Sequence, residues 1–450
     1  MEIEKIAIYV TNYYAEHTIR AFVITIIGAV IAGVILFGIQ QYYFNNQFEE
    51  KIKNQEDRAF QQLLDGNYEE SVSEYEGILD QISNSQNSMR YVRININLGV
   101  AYYRLSKLKD PEENLKHSLY ALDQAEKSID KNKDPYNFAL VQENKINTFN
   151  GLSNVREQEK NLESALSSGN LAKDIFSPIQ YPEDYAETQI NIGATYQELS
   201  EIKNTSENQQ KSLDAFNEAL KTSKNPDTQA QAKMGIGNVY LSEKKISNVT
   251  NLHIAIDSYE EALQFYTPEA HLYDFLTCEM NLGIAYSELA SFQEENENLK
   301  KSITTLKKAL NHLSIQENHF EYATAHNSIG NSYQLLARIN DTDIDSQNAI
   351  NSYNESLRVF TLKEYPQKYG MIQNNLGAIF SELAIKKNDI QYYEKANEAY
   401  DNAILGYSNT NYSLIYSDIR SNRIFLNKKM YNLTGSKIYY DAYQKSLNNS

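Results

Sequence analysis

Apolar residues recur along most of this chain at steps of three and four, the beat of one buried helical face. One short pattern returns through it. The stretch 373–384 reads Gln-Asn-Asn-Leu-Gly-Ala-Ile-Phe-Ser-Glu-Leu-Ala, and near-copies stand at 97–105, 191–199, 281–289 and 328–336, with a looser one at 235–242. The glycines of this pattern are Gly99, Gly193, Gly237, Gly283, Gly330 and Gly377, and the last three stand 47 residues apart. Gly99 and Gly193 are separated by twice that distance, which places a cryptic unit at Ile146; one further step beyond Gly377 reaches Ile424. A fixed period of this length is the mark of a repeat array.

A second pattern follows the first. About 19 residues after each glycine comes a small residue, then a large apolar one at +4 and a small one at +7. The sets are Ser118/Leu122/Ala125, Ser212/Phe216/Ala219, Ala255/Tyr259/Ala262, Ser302/Leu306/Ala309, Ala349/Tyr353/Ser356 and Ala396/Tyr400/Ala403, and the cryptic unit supplies Ala165/Gly169/Ala172. Each set lies on one stripe of a helix. Every unit therefore reads as two helices, A and B. A glycine inside helix A costs about 1 kcal/mol relative to alanine. Six such glycines in one phase imply close packing, and the small residue that opens the B stripe is expected to meet them. No unit buries its stripe alone, so stacking is obligatory.

The residues Asn97-Leu-Gly-Val-Ala-Tyr102, Asn281-Leu-Gly-Ile-Ala-Tyr286 and Ala255…Tyr259…Ala262-Leu263 resemble the tetratricopeptide repeat. That family's usual unit is about 34 residues; the extra length here is expected between the helices, as in 202–211. Pro182-Glu-Asp-Tyr-Ala186 and Tyr365-Pro-Gln-Lys-Tyr369 look like the start of helix A in an extended variety of the repeat. The resemblance implies an all-α fold, a right-handed α-solenoid of about nine helix hairpins. It implies packing and not a particular function.

Length and charge narrow the picture. A chain of 450 residues exceeds one ordinary core, and solenoids escape that limit by growing in one dimension. With 42 basic and 59 acidic residues the net charge is −17, which argues against a nucleic-acid partner. A single cysteine, Cys278, rules out an intrachain disulfide framework and reads as a packed thiol. The histidines show no metal-ligand spacing. There is no glycine-rich phosphate loop and no Gly-x-Ser-x-Gly, so neither a cofactor nor an enzyme is expected.

The first forty residues differ from the rest. Residues 1–20 form a short tail of mixed charge. Residues 21–39 are uncharged, with twelve Ile, Val, Leu or Phe in nineteen positions. Nineteen helical residues span about 28 Å, near the thickness of a hydrocarbon core. The domain expectation is a tail at 1–20, a single transmembrane helix at 21–40 in contact with a lipid bilayer, a joint at 41–50 and a solenoid from 51 to 450. Its last unit, 411–447, lacks the glycine and reads as a cap with a wet outer face. Localisation is expected at a membrane, single-pass, with the solenoid on the extracytoplasmic side by analogy.

Two rows of helix-A residues are candidates for contact with a partner. Two positions before the glycine stand Asn97, Asn144, Asn191, Asn281, Asn375 and Asn422; Gly235 and Ser328 break the row. The resemblance puts this position on the concave side, where an amide offers two donors and an acceptor. Five positions after the glycine stand Glu198, Glu288 and Glu382, favouring a basic partner. Both rows also read as ordinary scaffold and solvated helix face. The residue before each asparagine is Ile96, Ile190, Met280 or Asn374 rather than lysine, so a clamp for a peptide's terminal carboxylate is not expected. Two functions follow: an adaptor holding a protein or peptide segment in its groove, or a sensor whose groove responds to a ligand or peptide.

Overall fold

A computed structural model of the chain describes residues 2–82, 89–242, 249–407 and 413–448, with side chains from residue 30 to 447 except 83–88, 243–248 and 408–416. Among the described residues there are eighteen helices and no strand. The chain divides into two compact units, Met1–Ile175 and Phe176–Ser450.

The first unit holds α1 (Glu2–Leu64), α2 (Tyr68–Ile82), α3 (Met89–Leu105), α4 (Pro111–Ser128), α5 (Pro135–Ser153) and α6 (Gln158–Lys173). The second holds α7 (Pro182–Ser200), α8 (Thr205–Thr222), α9 (Pro226–Ser242), α10 (Val249–Ala262), α11 (Leu272–Leu289), α12 (Glu295–Leu310), α13 (His319–Asn340), α14 (Asp343–Leu357), α15 (Pro366–Lys387), α16 (Ile390–Tyr407), α17 (Ser413–Thr434) and α18 (Lys437–Asn448). Consecutive helices pair as hairpins, three in the first unit and six in the second. Within each unit the hairpins stack, and each large B-stripe side chain is enclosed.

The glycines do what their phase implies, with one difference. A Cβ on Gly283 would stand 2.6 Å from Leu306 Cγ, one on Gly330 2.6 Å from the Tyr353 ring and one on Gly377 2.6 Å from the Tyr400 ring. The large middle residue of the B stripe, not the small one that opens it, therefore lies on the glycine. The small residue contributes differently: Ser118 Oγ donates to Gly99 O and Ser212 Oγ to Gly193 O, each at 2.7 Å. The cryptic unit exchanges the volumes, with Ile146 buried in α5 and Gly169 buried at the aromatic position of α6.

The extra length of the repeat does not lie between helices A and B of a unit. Helices α7 and α8 are 19 and 18 residues long, and only 201–204 separate them. Most of 202–211 is thus the first turns of α8. The tight turns have their own signature. Asp110, Glu157, Asn204, Glu294, Asp341 and Asn388 all have φ between 43° and 51°, a left-handed conformation that costs a non-glycine residue about 1–2 kcal/mol. A buried amide offsets this at four of them: Asn114, Asn161, Asn208 and Asn298 donate to the carbonyls of Lys109, Arg156, Lys203 and Gln293 at 2.7–2.8 Å. Each stitches the start of helix B to the end of helix A.

The amino-terminal expectation is corrected. Among the described residues, no helix is long and apolar enough to cross a membrane, and a single-pass membrane localisation is withdrawn on that finding. The described side chains of the apolar run, 30–39, cover about 15 Å of helix, half a hydrocarbon core, before Gln40 and Gln41; residues 21–29 lie outside the described side chains. Residues 41–50, read as a joint, belong to the uninterrupted α1. Residues 411 and 412 of the last unit lie outside the described residues. Its helices α17 and α18 leave Phe425, Leu433, Ile438 and Tyr440 exposed.

Candidate functional site

The asparagine row lands where one repeat meets the next. In the second unit, Asn281 Nδ2 donates to Asn238 Oδ1 at 3.0 Å, and the Tyr259 hydroxyl donates to the same oxygen at 2.7 Å. Two repeats on, the arrangement returns: Asn375 Nδ2 donates to Asn331 Oδ1 at 3.1 Å, and Tyr353 OH donates to that oxygen at 2.7 Å. The acceptor stands one residue after the preceding glycine, on the same side of helix A. A buried tyrosine hydroxyl needs an acceptor, and this pair of amides supplies it while tying adjacent A helices together. Asn191 is half-buried in α7. Asn422 is exposed and donates weakly to Asn374 Oδ1 at 3.4 Å.

In the first unit, Asn97 is half-buried beside the Tyr75 hydroxyl, whose ionisation burial opposes and Asn97 favours. Asn144 Nδ2 donates back to Leu140 O at 2.8 Å within α5. The break in the row at Gly235 has a steric cause. The Phe216 ring lies against both Gly193 and Gly235, and a side chain at 235 would overlap it.

The carboxylate row falls entirely in the second unit. Glu198 and Glu288 are half-buried and Glu382 is exposed. Burial raises the Glu288 carboxyl above the ordinary range. Glu382 Oε1 accepts from Arg338 Nε at 2.7 Å, an ion pair between successive A helices. Taken together, α7, α11 and α15 carry amides and carboxylates on one stripe, part of whose hydrogen-bonding capacity is used inside the array.

A third row escaped the sequence reading. Four residues before the glycine position stand Asn95 and Gln142 in the first unit, and Gln189, Lys233, Glu279, His326, Gln373 and Arg420 in the second. The signal was one polar residue in every repeat on an otherwise apolar stripe. Several of these are satisfied internally: Gln189 donates to Tyr185 OH at 2.8 Å, Lys233 pairs with Glu261 at 2.6 Å and Arg420 donates to Ser446 O at 2.9 Å. Glu279 Oε2 and His326 Nδ1 are buried with no hydrogen-bond partner among the described residues.

Among the described residues, no group of three or more His, Cys, Asp and Glu is placed to hold a metal ion. Cys278 is fully buried, and burial pushes its thiol up to about 12, far from the thiolate a nucleophile requires.

No family model matches the chain, and no curated protein matches it. Solved structures do. The apo form of RapI is 11% identical, with a TM-score of 0.51 over 88% of this chain and 96% of that one. A Rap protein complexed with Competence and Sporulation Factor is 15% identical, with a TM-score of 0.43 over 79% and 96%. A signal transduction ATPase with a tetratricopeptide repeat sensor from Pyrococcus horikoshii is 16% identical, with a TM-score of 0.46 over 75% and 49%. At these identities the likeness is one of fold, carried by the RapI comparison. The architecture is a tetratricopeptide-like array of helix hairpins.

Proposed function

We propose that this protein is a repeat adaptor that holds an extended segment of another protein, or a peptide, against the amide and carboxylate stripe of the A helices in its second unit. The observation that carries the reading is the recurrence of half-buried Asn191, Asn281 and Asn375 with Glu198 and Glu288 on one stripe of α7, α11 and α15. A polar stripe of amides and carboxylates suits the regularly spaced backbone groups of an extended chain. Acidic residues on that stripe and a net charge of −17 favour a basic segment. The same reading extends to Asn97 and Asn144 in the first unit and to the exposed Asn422 and Glu382 in the second.

The experiment is affinity capture from the native host with the full chain and with a Glu198→Gln/Glu288→Gln/Glu382→Gln variant of unchanged melting temperature. Support is a reproducible protein partner whose recovery falls at least several-fold with the variant and with rising salt. No reproducible partner, or one retained equally by the variant, contradicts the reading.

A further inference from the structure

One groove in the second unit carries a demand that the fold leaves unmet. Phe275, Glu279, Leu282 and Tyr286 follow one another along α11 at steps of four, three and four, so they form a single stripe. Glu279 stands two residues before Asn281 and nine before Glu288; at 100° per residue it points about 160–180° away from them. The stripe floors a groove of about 710 Å³, walled by Glu260 of α10, by Leu263 just past the end of that helix, and by Lys301 and Lys308 of α12.

Glu279 is 4% exposed, and its Oε2 has no hydrogen-bond partner among the described residues. Its Oε1 lies 3.7 Å from Lys308 Nζ, a long pair to a side chain that is 60% exposed. A carboxylate has room for about four hydrogen bonds, and leaving one buried and unmet is costly. The other acids are occupied: Glu260 accepts from Tyr286 OH at 2.6 Å, and Glu297 pairs with Lys301 at 3.1 Å. Lys301 also stands 5.6 Å over the Tyr286 ring, so this groove already seats a cation on its aromatic floor.

We propose that the groove is a second peptide site, taking an arginine side chain that donates to Glu279 while an adjacent acidic residue of the same peptide meets Lys308. Guanidinium suits the place for three reasons. Its planar fork satisfies both carboxylate oxygens at once. Its face stacks on Phe275 or Tyr286. Its charge replaces that of Lys308, whose exposed ammonium is then free to turn to the peptide's own acid. Three acidic and three basic side chains line the groove, a balance that suits a peptide carrying both charges. The inference does not rest on the stripe of the proposed function, which faces the other way.

The test is calorimetric titration of the full chain with N-acetyl-Arg-Asp-amide, beside the same probe with citrulline in place of arginine. The expected result is one saturable site, at least tenfold weaker for the citrulline probe and for Glu279→Gln, and unchanged for Asn281→Ala on the opposite stripe. The native chain with two probes keeps the test valid even where a variant folds poorly. Absence of saturable binding, equal affinity for citrulline, or loss through Asn281→Ala instead of Glu279→Gln overturns the proposal.

Discussion

Asn375 donates to Asn331 across two successive repeats, Nδ2 to Oδ1 at 3.1 Å, and the Asn281–Asn238 pair repeats it at 3.0 Å. In both, the acceptor oxygen also receives the hydroxyl of a fully buried tyrosine. The two amides of a pair are therefore unequal. Asn238→Ala removes the Tyr259 acceptor and leaves a buried hydroxyl unmet, a loss of about 1–3 kcal/mol. Asn281→Ala removes one donor at a half-buried place and costs about 1 kcal/mol or less. Urea denaturation should rank them in that order; an Asn238→Ala variant as stable as the native chain would show that the pair is incidental.

Glycine packing predicts a second ranking. Leucine at Gly283 must displace the buried Leu306, and overpacking of this kind costs about 1–3 kcal/mol. At Gly406 the obstacle is backbone: an added Cβ meets Pro366 O and lies 2.6 Å from Gly370 Cα. A side chain can give way where a main chain cannot. Gly406→Ala should therefore lower the melting temperature more than Gly283→Ala, and Gly283→Leu should lower it sharply. An unchanged melting temperature for Gly283→Leu contradicts the packing account.

The left-handed turns give a prediction of opposite sign. Glu294 has φ 46° with no side-chain cap, so Glu294→Gly relieves backbone strain and should stabilise by about 1 kcal/mol, less whatever glycine gains in the unfolded chain. Asn298→Ala should destabilise by about 1–2 kcal/mol, because the Gln293 carbonyl loses its buried donor. Thermal denaturation of the two variants checks both; a destabilised Glu294→Gly would mean that the turn is not strained.

Buried acids predict a pH dependence. Burial raises the carboxyl of Asp274, and the neighbouring charge of Asp227 adds to it. A carboxyl that holds its proton more tightly folded than unfolded contributes stability that is complete below the unfolded carboxylate range, about 4. That contribution is lost as pH rises through the raised folded value. Asp274→Asn removes this loss. The variant should melt higher than the native chain at pH 8, and the difference should vanish by about pH 3, well below the unfolded carboxylate range. A gain that persists there, or a loss at pH 8, contradicts the assignment.

Much of this fold was legible because packing repeats on a fixed beat. Gly99 to Gly377 and the B stripes announced paired helices, and each glycine does lie under the large residue 22 or 23 positions later. What the pattern concealed has physical causes. A side chain's partner is not written in its spacing, so the asparagines were read as facing a ligand when Asn281 and Asn375 also reach the preceding repeat. Turn conformation left only a faint trace, since Asp110, Glu157 and Glu294 adopt positive φ without being glycine. The polar row containing Glu279 was overlooked because a polar residue on an apolar stripe looks like noise until its burial is known. The apolar stretch at 21–39 matched a membrane span in length and composition, whereas the described part of α1 yields no helix long and apolar enough to be one.

The claim at the centre of this account is that the stripe through Asn191, Asn281 and Asn375 is a protein-binding surface. Site-specific photocrosslinking in the native host tests it most directly, with a photoreactive residue at 198 or 288 and a control at the exposed Gln210 on α8. The account predicts one protein adduct shared by 198 and 288, absent from 210, and mapping to an extended basic segment. No adduct from the A-helix positions, or equal adducts from all three, would contradict it.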